Sequence, residues 1–246
     1  MKLQIGVVKF GSTLNSSYIH RILRRWFPKS TIYILNNRPG DAKEGEIQGS
    51  NVGHEFSGYL ELLMKMNETA PILLVNDTLF KNHFTTGWLY LVDKMMNRWN
   101  HQPSYIFGDA RYDGIGLTER PNPFFASWIF LFQVGLAKES IIQSLTDLLN
   151  TPSPRWSQEY EIFLNTWLND TKWYKGWHKQ LANPEALFEK KRNIYWEHQL
   201  SAKLLNYEDL SMRSFGEIQP FLYFGLRITD RFYTAIYRFM GLIRWR

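Results

Sequence analysis

Cysteine is absent from the 246-residue chain. This excludes a disulfide framework, a thiolate zinc site and a thiol nucleophile, and it fits a reducing compartment. No apolar run approaches the roughly 18 residues needed to span a bilayer. The sequence therefore reads as a soluble or peripheral protein. Neither a Gly-x-x-x-x-Gly-Lys-Ser/Thr loop nor a Gly-x-Gly-x-x-Gly loop occurs, which argues against nucleoside triphosphatases and dehydrogenases. Internal repeats and low-complexity tracts are lacking too. The opening Met1–Val8 is too short for a secretory signal and reads as a first strand.

What is present is a composition that can fold: 44% hydrophobic residues suffice for a substantial core. Aromatics reach 16%, with ten tryptophans, a usage that suits both sugar-handling and interfacial proteins. The net charge of +6 is unevenly spread. From Pro220 to Arg246, five arginines face one acid, Asp230, so this segment carries +4 of it. Such asymmetry points to an anionic partner surface, a membrane or a nucleic acid.

Along the chain, Leu3–Val8 alternates as a strand, and Ser16 or Ser17 can cap a helix that Pro28 stops. Thr31–Leu35, Pro71–Val75 and Ser104–Phe107 read as further strands, and Phe124–Phe132 as a longer apolar element. Helices between them carry Phe56, Tyr59, Leu60 and Leu63, then Trp88, Leu91, Val92 and Met95, on their inner faces. Strands alternating with helices predict an α/β fold, a mostly parallel sheet flanked by helices. Ligands of such sheets gather at the carboxyl ends of the strands, here Asn36-Asn37, Asn76-Asp77 and Gly108-Asp109. Residues 1–137 are expected to form this domain and 138–246 a helical region, with Pro152-Ser153-Pro154 the strongest break.

Three constellations carry candidate chemistry. Asp77, just past a buried strand, can meet a metal, a phosphate or a ribose, or it can simply cap a helix. Gly49-Ser50-Asn51-Val52-Gly53 leads into a helix whose N–H groups can receive an anion, or whose glycines merely permit close packing. The stretch Phe107-Gly108-Asp109-Ala110-Arg111-Tyr112-Asp113, followed by Thr118-Glu119-Arg120, mixes carboxylates with arginines. Sugar transfer with inversion needs both, a base for the acceptor hydroxyl and positive charge for a departing diphosphate. A solvated loop with incidental charges would look the same.

Taken in order, the first strand, Ile34-Leu35-Asn36-Asn37, Gly49-Ser50-Asn51 with Glu55-Phe56-Ser57-Gly58, and Leu74-Val75-Asn76-Asp77-Thr78 resemble GT-A-type glycosyltransferases. The closer likeness is to the rhamnan-synthesis and related polysaccharide transferases. Those carry an Asn-Asp-Ser/Thr triplet, then a Gly-containing stretch and a Ser-aromatic pair before an apolar run. Here the last two would be Phe107-Gly108 and Ser127-Trp128. The likeness spans roughly residues 1–135.

The resemblance implies a transferase moving a sugar from a nucleoside-diphosphate donor to a glycan or lipid-linked acceptor, with inversion. The setting would be surface-polysaccharide synthesis, in the cytoplasm and at the inner face of its membrane. Asn36 and Asn37 would lie near base and ribose, and Ser50, Asn51 and Glu55 near the nucleoside. Asn76 and Asp77 would meet ribose, diphosphate or a divalent metal, Mg²⁺ or Mn²⁺. Many relatives carry an Asp-X-Asp triplet where this chain has only Asp77. The candidate bases are Asp109, Asp113 and Glu119, in that order.

Two features of the C-terminal half add to this. Tyr195, Trp196 and Glu197 lie on a helical stretch and could touch an acceptor sugar, or belong to an ordinary amphipathic helix. In the tail, Ile228, Phe232, Ala235, Ile236, Phe239 and Ile243 recur at helical spacing, with Arg227, Arg231 and Arg238 on one flank and Trp245 beyond. That pattern fits an in-plane membrane helix, with Arg227, Arg231, Phe232, Arg238, Phe239 and Trp245 as its contacts, or a helix docked on the protein. The competing functional class is a non-catalytic adaptor for membrane or nucleic acid. Nucleic acid is not the expected partner, because a backbone-binding surface would place Lys and Arg, not carboxylates, at the strand ends.

Overall fold

The computed structural model describes residues 2–11, 14–67, 69–98, 104–112, 116–117, 119–151, 154–169 and 183–239. In chain order the elements are β1 (Gln4–Lys9), α1 (Ser16–Trp26), β2 (Thr31–Asn36), β3 (Ile47–Gln48), α2 (His54–Lys65), β4 (Ile72–Asn76), α3 (Thr78–Asn82) and α4 (Thr85–Arg98). Then come β5 (Tyr105–Arg111), β6 (Phe124–Phe132), α5 (Leu136–Asn150), α6 (Gln158–Asn169), α7 (Pro184–Leu205), β7 (Ser211–Ser214), α8 (Phe215–Ile218) and α9 (Pro220–Phe239).

The fold is α/β, as the alternation of elements predicts. One seven-stranded mixed sheet runs β3-β2-β1-β4-β6-β5-β7. The pairs β1–β2, β2–β3, β1–β4 and β5–β7 are parallel, whereas β6 is antiparallel to both β4 and β5. The reversal follows from connectivity. β6 returns beside β5 with Arg111 opposite Phe124, and among the described residues between them no helix crosses over.

The central strands β1 and β4 are buried along their whole length, and their side chains alternate between two cores. Leu3, Ile5, Val7, Leu73 and Val75 face a core built with α1, α4, α8 and α9, through residues such as Ile19, Leu23, Trp88, Leu91, Phe215 and Leu226. Val8, Ile72 and Leu74 face the opposite core, with Phe56 and Leu62 of α2, Ile141 and Leu145 of α5, and Trp196 and Leu200 of α7. A leucine cut to alanine at Leu73 or Leu74 would cost about 2–5 kcal/mol, the usual range for a sealed core.

Two sequence expectations need correction. Asn15, rather than Ser16 or Ser17, caps α1, its side chain accepting from the Ser17 N–H at 2.8 Å. The region after residue 137 is not wholly helical: β7 joins the same sheet, pairing Tyr105 with Ser211 and Gly108 with Ser214.

Candidate functional site

The strand order reverses direction between β1 and β4, and the crevice beyond their carboxyl ends is where such sheets bind ligands. Asp77 lies there. It is buried, and Phe10 at the end of β1 donates its N–H to Asp77 Oδ2 at 3.2 Å. The same oxygen pairs with the Lys81 ammonium one helical turn later. Asp77 stands in the N-cap position of α3, yet its side chain makes no capping bond. The Thr78 N–H is met instead by Asn76 Oδ1 at 3.0 Å. Capping therefore does not account for the carboxylate, which the Phe10 N–H and Lys81 hold at the end of β1.

Beside the end of β4, with Val75 opposite Ile129, lies an irregularity in β6. Its register against β5 shifts between Gly108, opposite Phe130, and Asp109, opposite Ala126. The residues Ser127, Trp128 and Ile129 are the surplus. The alternation of β6 slips at the same point, Trp128 and Ile129 both joining the α4 side. A bulge releases backbone groups from the ladder, and side chains take them up. The Ser127 N–H donates to Glu197 Oε1 at 2.6 Å, and the Tyr59 hydroxyl donates to the Ser127 carbonyl at 2.6 Å. The Ser127 hydroxyl reaches Glu55 Oε1 at 3.5 Å.

Ser127 thus links Glu55 of α2 with Glu197 of α7. Burial, with Glu197 and then Asp77 adding to it, pushes the Glu55 carboxyl above the usual glutamate range, and Lys190 opposes this. Burial lowers Lys190 in turn, against the pull of Glu55 and Glu197. Tyr59 is raised well above the ordinary tyrosine value by burial and by Glu55, Glu197 and Asp77. Three carboxylates and one ammonium from α2, α7 and the end of β4 therefore share one field.

The other predicted donor residues build the walls. Asn36 is fully buried. Its Oδ1 accepts from Gly11 N–H at 3.0 Å and Arg38 N–H at 3.2 Å, and its amide donates to the Asp41 carbonyl and Glu46. Asn37 accepts from the Asn51 N–H at 2.9 Å and donates to the His54 carbonyl. Both side chains hold loops in place, which leaves them poorly suited to a base or ribose. Ser50 is exposed and bonds Glu61, while Asn51 adopts a left-handed φ of 56°. A Cβ on Gly53 would lie 2.1 Å from Leu149, so close packing explains that glycine.

Asp109 departs most from expectation. It is wholly buried, gripped by Arg111 at 2.6 Å, Arg227 at 2.8 Å and the Tyr223 hydroxyl at 2.7 Å. Burial alone would raise its proton affinity, but Arg111, Arg227 and the Tyr223 bond hold it below the ordinary value. A base must be reached by the acceptor hydroxyl; a sealed, doubly ion-paired carboxylate is a clamp. Asp113 lies outside the described residues. Glu119 accepts the Ser157 N–H at 2.7 Å beside the start of α6, which likewise gives it a structural partner. On α7, Trp196 is buried edge-on against Phe56 and Tyr195 packs beside Trp156, so of the acceptor-side triplet only Glu197 reaches the crevice cluster.

The donor set does not fit the divalent metal considered for Asp77. Lys81 occupies Asp77 Oδ2, and among the described residues no three His, Cys, Asp or Glu gather to hold an ion. Sequence reasoning missed Tyr59 and Lys190, the latter inside the run Glu189-Lys190-Lys191-Arg192 that looks like a solvated helix face. It also missed His83, stacked on Trp128 at 3.9 Å and bonded to Asp230 at 2.8 Å.

The tail residues divide. Arg227 turns inward to Asp109 and is no membrane contact, whereas Arg231 and Phe232 are exposed. The side chains of Arg238 and Phe239, and Trp245 altogether, lie outside the described residues. Among the described residues no helix is long and apolar enough to cross a membrane. Comparison with protein-family models, with curated proteins and with solved structures finds no match to this chain.

Proposed function

We propose that this chain is a GT-A-like glycosyltransferase that moves a sugar, with inversion, from a nucleoside-diphosphate donor to a saccharide or lipid-linked acceptor. The observation that carries the reading is Asp77: a buried carboxylate at the switch point that makes no capping bond and shares a field with Glu55. Glu55 takes the role first given to Asp109. Its raised proton affinity suits a base that accepts the acceptor's hydroxyl proton. The acceptor oxygen then attacks the anomeric carbon as the bond to the diphosphate breaks. Lys81 is the cation nearest the crevice carboxylate and meets the charge on the leaving group. Asp77 holds Lys81 and orients the donor.

Thermal shift tests this directly. UDP, GDP or dTDP at millimolar concentration should raise the melting temperature by ligand linkage, and Asp77→Asn should abolish that rise while the fold persists. Failure of every nucleotide, with and without Mg²⁺ or Mn²⁺, would overturn the transferase reading and leave a non-catalytic adaptor.

A further inference from the structure

Helix α9 has two faces of opposite character. One is docked. Leu226 is buried, and a Cβ on Gly87 of α4 would come within 2.3 Å of it, so the two helices approach as closely as glycine allows. Tyr223 and Arg227 bond Asp109, and Asp230 accepts from Trp88 Nε1 at 2.7 Å and the Phe84 N–H at 2.8 Å. These bonds fix the rotation of the helix about its axis.

The other face is apolar and open. Phe221 is 92% exposed, Phe224 67%, Ile228 39% and Phe232 66%. They follow one another at three- or four-residue spacing, which places them in a single stripe. Three phenylalanines in line on a solvent-facing surface have no role in the core, and an exposed patch of this kind marks an interaction surface.

We propose that this stripe seats the protein in the plane of an anionic membrane surface. Charge selects that occupant. Arg231 is exposed on the flank of the stripe, and three more arginines but no acid follow in the sequence to Arg246. The acid of the helix, Asp230, is buried and consumed by its three donors. A two-fold contact between copies of this chain would set like arginines against one another, since each patch meets its own equivalent. A bilayer rich in anionic lipid accepts the phenylalanines below its headgroups and neutralises the arginines at them. The surface stands apart from the crevice chemistry and does not depend on the transferase reading.

The test is co-sedimentation of the full chain with vesicles of phosphatidylcholine alone or containing phosphatidylserine, beside the triple variant Phe221→Ser, Phe224→Ser, Phe232→Ser. The wild type should pellet with the phosphatidylserine vesicles, less so as salt rises, because free charges are screened within about 10 Å at 0.1 M. The variant should lose at least about tenfold in partition with an unchanged melting temperature, since the stripe faces away from the core. Wild type remaining in the supernatant would overturn the proposal. So would pelleting that the variant retains, or gel filtration showing a dimer that the three serines dissociate.

Discussion

Arg227 on α9 holds both carboxylate oxygens of Asp109 on β5, at 2.8 and 3.0 Å. The contact joins the last described helix to the sheet, one strand in from its β7 edge. Breaking a buried pair strands the surviving charge and costs about 3–5 kcal/mol. Asp109→Asn and Arg227→Met should each lower stability by that order, and the double variant should cost less than their sum. Because Asp109 is held below its ordinary value, its contribution is complete above the usual aspartate range and disappears as pH falls through the lower folded value. Denaturant titrations across acid pH measure both effects.

On the proposed transferase function, Glu55 as base offers the kinetic counterpart. A base must be ionised to act, and its proton affinity is raised. The acid limb of the turnover profile should therefore lie above the ordinary glutamate range. Glu55→Gln should reduce turnover about 10²–10⁴-fold, leave the nucleotide-induced thermal shift unchanged and remove that limb. A glutamine variant with normal turnover would transfer the base role to Glu197.

His198 is buried neutral. Burial, with Arg120 adding to it, pushes its pKa down to about 3 from 6.5. The unfolded chain gains a proton below pH 6.5 that the folded chain refuses until about pH 3, so stability falls on acidification across that window. The slope from this one group is about 1.4 kcal/mol per pH unit. His198→Gln, which keeps an acceptor for the Tyr160 hydroxyl, should flatten the decline between pH 6.5 and pH 4.

Gly49 is the glycine on which the crevice wall depends. A Cβ there would lie 2.3 Å from Asn37 Oδ1, the oxygen that receives the Asn51 N–H. Gly49→Ala should cost about 1–3 kcal/mol through overpacking and loosen the 49–53 turn. Faster amide exchange at Asn51 would report it.

The strands with apolar character were legible because burial on two faces leaves a continuous hydrophobic run, as in Ile72-Leu73-Leu74-Val75. β3, two residues long, and β7, Ser-Met-Arg-Ser, carry no such run; they are edge strands defined by the neighbour they pair with. The place of Asp77 at the end of β4 was legible from the buried run before it, whereas its want of a capping bond was not. The partnership of Glu55, Ser127, Lys190 and Glu197 was not, since no spacing rule links positions so far apart in the chain. Asp109 was misread for a related reason: its partner Arg227 looked like part of a free basic tail. Only tertiary packing shows which arginines of α9 are already occupied.

The pairing of Tyr105 with Ser211 has a consequence for how the chain is made. Contacts between positions so distant in sequence form late and raise the contact order of the fold. Until β7 emerges from the ribosome, β5 presents an open edge, a template for pairing with another nascent chain. The helices α5, α6 and α7 must be synthesised before that edge can be closed. Chains stopped ahead of Ser211 should therefore aggregate during expression although most of the sheet is already encoded, and supplying the missing segment in trans should not readily rescue them.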